Sequence, residues 1–169
     1  VGMPLPVLES IAEINRKGGL SAAESHAWHR ELIARRGNVY DPRVLSRIMR
    51  GAEQNAADYV DLVTKRAVAV AAFDAIAAEF DAVILPTAPI VPPRIDEVAA
   101  EEAYTRINLL ILRNTMMFNV LDCCAISLPM GRPGDAPTGL MVVGRGGSDR
   151  RTLAISKAIE STLHPMAAG

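Results

Sequence analysis

Apolar positions recur at helical spacing along the first eighty residues. Leu8, Ile11 and Ile14 predict a helix over 6–16, which Gly18-Gly19 stops. Ser21 stands three residues ahead of Glu24 in the form of a capping box and opens a second helix, expected to reach Arg36 ahead of Gly37-Asn38. Asp41-Pro42 then supplies an N-cap followed by proline in the first turn, and Gly51 ends or kinks the helix it starts. The strongest pattern follows Asn55, which has Asp58 three residues on. Val60, Val63, Ala67, Val70, Phe73, Ala77 and Phe80 recur at spacings of three and four, predicting a helix over 55–80 with one apolar face and an Asp61/Lys65 i,i+4 pair on the other.

After Phe80 the period changes. Ala82-Val83-Ile84-Leu85 is a short apolar run closed by Pro86, so a buried strand is expected, followed by a long proline-rich loop over 86–97. Helical spacing returns near 102–113. Cys124–Pro129 and Gly139–Gly144 read as two more strands, joined by the turn-rich segment GRPGDAP. A last helix over 149–163 starts at Asp149 and carries Leu153, Ile155, Ile159 and Leu163. The runs AVIL and LMVV are apolar at consecutive positions, which suits strands covered on both faces inside a larger sheet. Three such strands leave edges and faces unsatisfied, so the sheet is expected to continue in polypeptide outside this sequence.

Composition narrows the classes. The 169 residues match one ordinary domain, half of them hydrophobic and 22% charged, with no apolar run long enough to span a membrane. Eighteen basic residues against nineteen acidic ones, with three Phe, three Tyr and one Trp, give no basic, aromatic-studded surface for nucleic acid. Cys123 and Cys124 are neighbours, a poor geometry for a disulfide, which argues against a secreted, disulfide-stapled scaffold. The opening Val1-Gly2-Met3-Pro4 lacks the n- and h-regions of a signal peptide and an initiator Met. A cytoplasmic location and a start inside a longer chain are the expectations.

Candidate chemistry is sparse. His26 and His29 lie three apart on a helix with Glu24 and Glu31 nearby, but no further ligand pair accompanies them, so a solvated helix face is the better account and no metal is expected. His164 stands alone near the tail and is expected at the surface. Neither Cys123 nor Cys124 has a histidine close in sequence to activate it, and a buried apolar role is expected for at least one. Gly144-Arg145-Gly146-Gly147-Ser148-Asp149 joins a strand to a helix, yet it matches no phosphate-binding fingerprint, and Asp149 at the cap repels anions; a structural turn is expected. Residues 112–124, LRNTMMFNVLDCC, set Arg113, Asn114, Thr115, Asn119 and Asp122 in an apolar context where polar groups need partners and often line a pocket. Capping and loop closure are the competing account, with Asn119 the most structural in character.

Three segments carry a resemblance. Asp81-Ala82-Val83-Ile84-Leu85-Pro86-Thr87, then Asn119 followed by Ala125-Ile126-Ser127-Leu128-Pro129 and Gly131, then Thr138-Gly139-Leu140-Met141-Val142-Val143-Gly144 and Asp149, resemble in order and spacing the C-terminal portion of the amidase signature family. Tyr40-Asp41-Pro42-Arg43, Gly51, Tyr59 and Arg66 resemble the helical stretch that precedes it. The resemblance implies an α/β fold: helices packed on a few strands of an incomplete mixed sheet, with 1–80 mainly helical and 81–169 holding strands, pocket loop and final helix of one domain. It also implies an amide hydrolase or amide-using transferase with a Ser–Ser–Lys triad, no metal and no organic cofactor. Lys17, Lys65 and Lys157 are the only lysines, and none is followed by the Gly/Ser-rich segment that carries the two serines. The catalytic residues are therefore expected in a missing N-terminal half, and this chain alone is expected to be inactive.

Two departures bear on substrate. Where many members have Gly and Pro between the Asn and the Ala, this chain has Asp122 and Cys124, and where many have Gln in the last strand it has Met141. The Asp-x-Cys-Ala form is similar to a subset of bacterial amidases and to allophanate hydrolases. In the family this C-terminal region walls the substrate pocket, so the resemblance implies Arg113, Asn114, Thr115, Asp122 and Cys123 as contacts for a small-molecule amide. The expected partners are the missing N-terminal half and, because apolar edges look unprotected, a second copy of the chain; nucleic acid and membrane are not expected. Two alternatives stay open: a noncatalytic binding or interaction module, and a subunit that completes an active site on a partner chain.

Overall fold

The computed structural model describes residues 2, 4–131 and 134–163; His164 lies outside them. The helices, in chain order, are α1 (Val7–Ile14), α2 (Gly19–Arg36), α3 (Pro42–Met49), α4 (Ala56–Ala77), α5 (Glu101–Val120) and α6 (Asp149–Leu163). The strands are β1 (Val83–Pro86), β2 (Cys124–Pro129) and β3 (Gly139–Gly144). Two compact units divide at Phe73/Asp74.

In the first unit, sequence and structure agree on how α3 and α4 start. Asp41 Oδ1 accepts from the N–H groups of Arg43 (2.8 Å) and Val44 (3.2 Å), with Pro42 in the first turn. At the head of α4, Asn55 Oδ1 accepts from the Asp58 N–H while Asp58 Oδ2 accepts from the Asn55 N–H, a reciprocal capping box. Lys17 Nζ donates to Asp58 Oδ1 at 2.8 Å. That ammonium, followed by the Asn55 N–H, holds the Asp58 carboxyl below its usual range.

Two expectations are corrected here. Ser21 does not cap α2: Gly18 and Gly19 both take positive φ (97° and 64°), turning the chain early enough that the helix already runs at Gly19. The apolar face assigned to α4 is misplaced in its first half. Leu62, Ala69, Phe73 and Ala77 are buried, whereas Val60 and Val63 are exposed, and Lys65 lies 3.6 Å from Glu13 rather than serving an Asp61 pair. This helix is apolar on more than one side, so its periodicity does not single out one buried stripe.

The second unit is built on a three-stranded antiparallel sheet in the order β1-β3-β2. Strand ends fall where glycine and proline punctuate the sequence. Central β3 is covered on both faces, with Met141, Val142 and Val143 at 3%, 0% and 1% exposure. The edge strands are not: Ile84 is 58% exposed, and Ala125, Ser127 and Pro129 are exposed along β2. Burial of AVIL on both faces is thus not met within this chain.

Helix α6 packs on β2 and β3. Its buried side chains are Thr152 and Ser156, while Leu153 and Leu163 are exposed. The reason is close approach: a Cβ at Gly144 would meet Thr152 Oγ1, Ser148 Oγ and Cys124 Sγ, so only small side chains fit between this helix and the sheet. An Arg151–Asp81 ion pair links α6 to the turn before β1.

Helix α5 is longer than its periodicity suggests. The helix expected near 102–113 continues through Val120, so Arg113, Asn114, Thr115 and Asn119 are helical, and the chain turns only after Leu121. The Cys123 N–H bonds to the Phe118 carbonyl (3.0 Å) and the Asp122 N–H to the Asn119 carbonyl (3.2 Å), with Asp122 at φ 59°. These are the 6→1 and 5→2 bonds of a Schellman motif, which satisfies the last carbonyls of the helix.

Candidate functional site

The Schellman turn aims the C-terminal end of α5 at one face of the sheet. Side chains alternate along β2, so Cys123, Ala125 and Ser127 share that face, and register places Ser127 opposite Met141 of β3. Between these elements lies a cavity of about 270 Å³ lined by Thr87, Thr115, Phe118, Asn119, Cys123, Ala125, Ile126, Ser127 and Met141.

Thr87 reaches the cavity because the β1–β3 ladder continues one residue past Pro86: its N–H donates to the Gly139 carbonyl at 2.8 Å. Its Oγ1 lies 2.6 Å from Ser127 Oγ, so the two hydroxyls share a hydrogen bond across β3. Gly139 is what leaves them room, since a Cβ there would strike Ser127 Oγ and sit 2.8 Å from Thr87 Oγ1. Thr115 donates to the Leu112 carbonyl (3.1 Å), which leaves its oxygen able to accept.

Every lining residue is uncharged at neutral pH. Burial, followed by the nearby Asp74 carboxylate, pushes the Cys123 thiol from 9.0 up to about 12. It is therefore a neutral weak donor and a poor nucleophile. The lining contains hydroxyls but no lysine or histidine within it to serve as a base. The geometry can bind and orient a small group; a nucleophile–base pair is not part of it.

Of the five residues inferred from sequence, Thr115 and Cys123 line the cavity. Asn114 does not: it is 7% exposed and its Nδ2 donates to the Pro86 carbonyl at 2.8 Å, tying α5 to the end of β1. Arg113 is exposed, with its Nε 3.3 Å from Asn114 Oδ1. Asp122 forms the left-handed turn. Asn119, the most structural of the set by its sequence context, lines the cavity. Sequence reasoning misses Thr87 and Ser127 as site residues, although both stand in the motif segments of the resemblance; for Ser127, a hydroxyl inside an otherwise apolar strand is the available signal.

His29 Nδ1 lies 2.7 Å from the Tyr40 hydroxyl. Among the described residues, no three His, Cys, Asp or Glu side chains gather as metal ligands would. No described helix is long and apolar enough to cross a membrane. In the glycine-rich turn before α6, Ser148 Oγ donates to the Arg145 carbonyl (2.6 Å) and Gly146 packs against the Asp122 carbonyl, as a structural turn requires.

Comparison with known proteins agrees with this architecture. The amidase family model matches residues 5–153, and the chain belongs to that family. It is 30% identical over 168 residues to the 2-amino-5-chloromuconic acid deaminase of Comamonas testosteroni, covering 96% of this chain and 36% of that protein. It is 31% identical over 151 residues to a glutamyl-tRNA(Gln) amidotransferase subunit of Sulfurisphaera tokodaii, covering 86% of this chain and 31% of that one. Among solved structures, the Kluyveromyces lactis urea amidolyase superposes with a TM-score of 0.83 at 25% identity, over 98% of this chain and 10% of that one. The Kluyveromyces lactis allophanate hydrolase, at 24% identity and a TM-score of 0.84 over 98% of this chain and 27% of that one, supports the fold alone. The chain spans about a third of the length of the curated relatives it matches.

Proposed function

We propose that this chain is the C-terminal part of an amide C–N hydrolase whose Ser–Ser–Lys triad lies in the remainder of the polypeptide, and that the cavity beside Thr87, Cys123 and Ser127 is one wall of its substrate pocket. The observation that carries this reading is the cavity itself: a space of about 270 Å³ lined by hydroxyl, amide, thiol and apolar groups, without a nucleophile–base pair. Such a wall recognises shape and hydrogen-bonding groups and leaves bond cleavage to residues supplied from outside.

Lysine would take the proton of the bridging serine, which activates the nucleophilic serine; the amide is attacked, amine departs, and water releases the acid. In this scheme Ser127 and Thr87 orient the uncharged part of the substrate, with Thr115 and Asn119 at the rim. A charged carboxylate or ammonium would lose hydration there without an opposite charge to replace it. Arg113, Asn114 and Asp122 act through the position of α5 and its turn. We place the enzyme in the cytoplasm, a reading that the two adjacent, unbridged cysteines favour.

The test is steady-state kinetics of the whole polypeptide on neutral aliphatic and aryl amides. Replacing Cys123 by Phe fills the cavity and is expected to raise KM at least tenfold for bulky amides while the smallest amide is spared. Equal losses for every amide, or turnover by this 169-residue chain on its own, would overturn the proposal.

A further inference from the structure

Two hydroxyls of the cavity are bonded to each other, and that bond limits what they can offer a ligand. Thr87 Oγ1 and Ser127 Oγ lie 2.6 Å apart, and either can be the donor. Among the described residues, neither hydroxyl has another partner. Each carries one hydrogen and two lone pairs, so one hydrogen is used between them and one is left over. Reversing the internal bond passes the spare hydrogen from one residue to the other without moving a heavy atom. The pair is held in place by backbone: the Thr87 N–H donates to the Gly139 carbonyl at 2.8 Å, Ser127 stands opposite Met141 in the β2–β3 register, and Gly139 has no Cβ to part them.

The rest of the lining says what suits such a donor. Thr115 Oγ1 donates its hydrogen to the Leu112 carbonyl (3.1 Å), so toward the cavity it only accepts. Phe118 and Met141, at 2% and 3% exposure, supply apolar wall. A cavity of roughly 150 Å³ is enough for a benzene ring. This one, of about 270 Å³, has room for a ring with a substituent. A hydroxyl substituent both accepts and donates, which matches a wall offering one spare donor and one acceptor; a methyl of the same size matches neither.

We propose that Thr87 and Ser127 act together as one exchangeable donor that sets acyl specificity, selecting aryl amides whose ring carries a hydroxyl over those that carry a methyl. The selection requires the cavity to be a wall of the substrate pocket, as proposed above. Once the ring has displaced water, a methyl leaves the spare hydrogen and the Thr115 lone pair without partners. Exchange gives the pair a signature that two separate contacts lack. Removing either hydroxyl frees the hydrogen of the other, so a donor survives each single substitution and is lost only when both are made.

The test is kcat/KM of the whole polypeptide, near neutral pH, for the three hydroxybenzamides and the three matching methylbenzamides. At one ring position or more, the hydroxyl compound is expected to be preferred at least tenfold. Ser127→Ala and Thr87→Ala are each expected to lower that preference by less than about threefold, and the double variant to bring it close to one. The preference is a ratio taken on one sample, so a loss of folded enzyme cancels. Absence of a preference in the unsubstituted enzyme, or of turnover of all six compounds, overturns the proposal. So does a double-variant effect equal to the product of the two single ones, which marks separate contacts. A preference that survives the double variant overturns it as well, and is the outcome if a group from the remainder of the polypeptide occupies the pair. Cys123→Phe separates the two levels. If it lowers the turnover of every amide equally, the cavity is not a substrate wall; if it spares the smallest amide while no hydroxyl preference exists, only the donor pair is refuted.

Discussion

Cys123 and Cys124 are adjacent in sequence and stand on opposite faces of the sheet, and their surroundings differ as the faces do. Cys124 lies under α6 with its sulfur 3.2 Å from Thr152 Oγ1 and 3.4 Å from both Ser148 Oγ and the Arg145 carbonyl. That face is closed by small and hydroxyl-bearing side chains. Cys123 lines the cavity on the other face, where its strongest neighbour is a carbonyl at 3.6 Å. The turn after α5 and the first residue of β2 thus seat one thiol beside the cavity and the other in a packed joint. The packed joint and the cavity lie on opposite faces of β2, so each can be perturbed without the other.

The largest expected effect lies on the open face. A thiol pushed from 9.0 up to about 12 holds far less thiolate at pH 8 than an ordinary cysteine, on the order of a thousandfold less. Iodoacetamide treatment of the native protein at that pH, read by peptide mass spectrometry, is expected to leave Cys123 unlabelled while the urea-unfolded chain labels fully. The sign of the linked stability follows. The unfolded thiol ionises from about pH 9 upward while the native one keeps its proton, so stability falls as pH rises from 9 toward 12. The Cys123→Ala variant is expected to lose that part of the pH dependence in urea titrations, and fast native labelling would show that the face is not closed to charge.

On the packed face the test is Gly144→Ala. The added methyl meets Thr152 Oγ1 and Ser148 Oγ, so helix and sheet must part, at a cost of about 3 kcal/mol. A shift of the urea midpoint should report it, and the companion Thr152→Ala, which makes room, should restore part of the loss. Absence of that coupling would mean that α6 does not approach the sheet as described. A smaller loss is expected from Asn114→Ala, which leaves the Pro86 carbonyl without its amide donor and frees α5 from β1: about 1–2 kcal/mol. Because Asn114 is not in the cavity, KM for small amides in the whole polypeptide should change less than stability does.

The same contrast explains what the residues alone disclose. β2 and β3 are bounded at the expected residues, because Pro129, Gly139 and Gly144 punctuate the chain where backbone chemistry changes. The start of α4 is legible for a related reason: Asn55 and Asp58 bond to each other locally. Which side of a helix is buried is not. Val60 and Leu62 are equally apolar, and only the neighbouring elements decide that Leu62 is inside. On α6, Thr152 and Ser156 outrank Leu153 because the joint is narrow, a property of Gly144 across the sheet. The site follows the same rule. Thr115 and Cys123 stand out as polar groups in an apolar stretch, whereas Thr87 and Ser127 meet only through a shared partner strand, and no local pattern carries that register.

Asp122 is the hinge between the two faces, and it offers the smallest effect. It sits at φ 59°, a left-handed conformation that glycine adopts freely and that a residue with a Cβ adopts at a cost. Aspartate tolerates it better than most, which limits the penalty. Asp122→Gly is therefore expected to stabilise the native state by about 0.5 kcal/mol, the relief of the turn being partly offset by the greater freedom of glycine in the unfolded chain. The substitution also removes a carboxylate that raises the Cys123 pKa, though burial and Asp74 act on it more strongly. The two readouts separate the roles of the residue: a stability gain in urea with little change in Cys123 labelling marks Asp122 as the turn that aims the strand. A large rise in labelling at unchanged stability would instead make its charge, not its backbone, the feature that sets the open face.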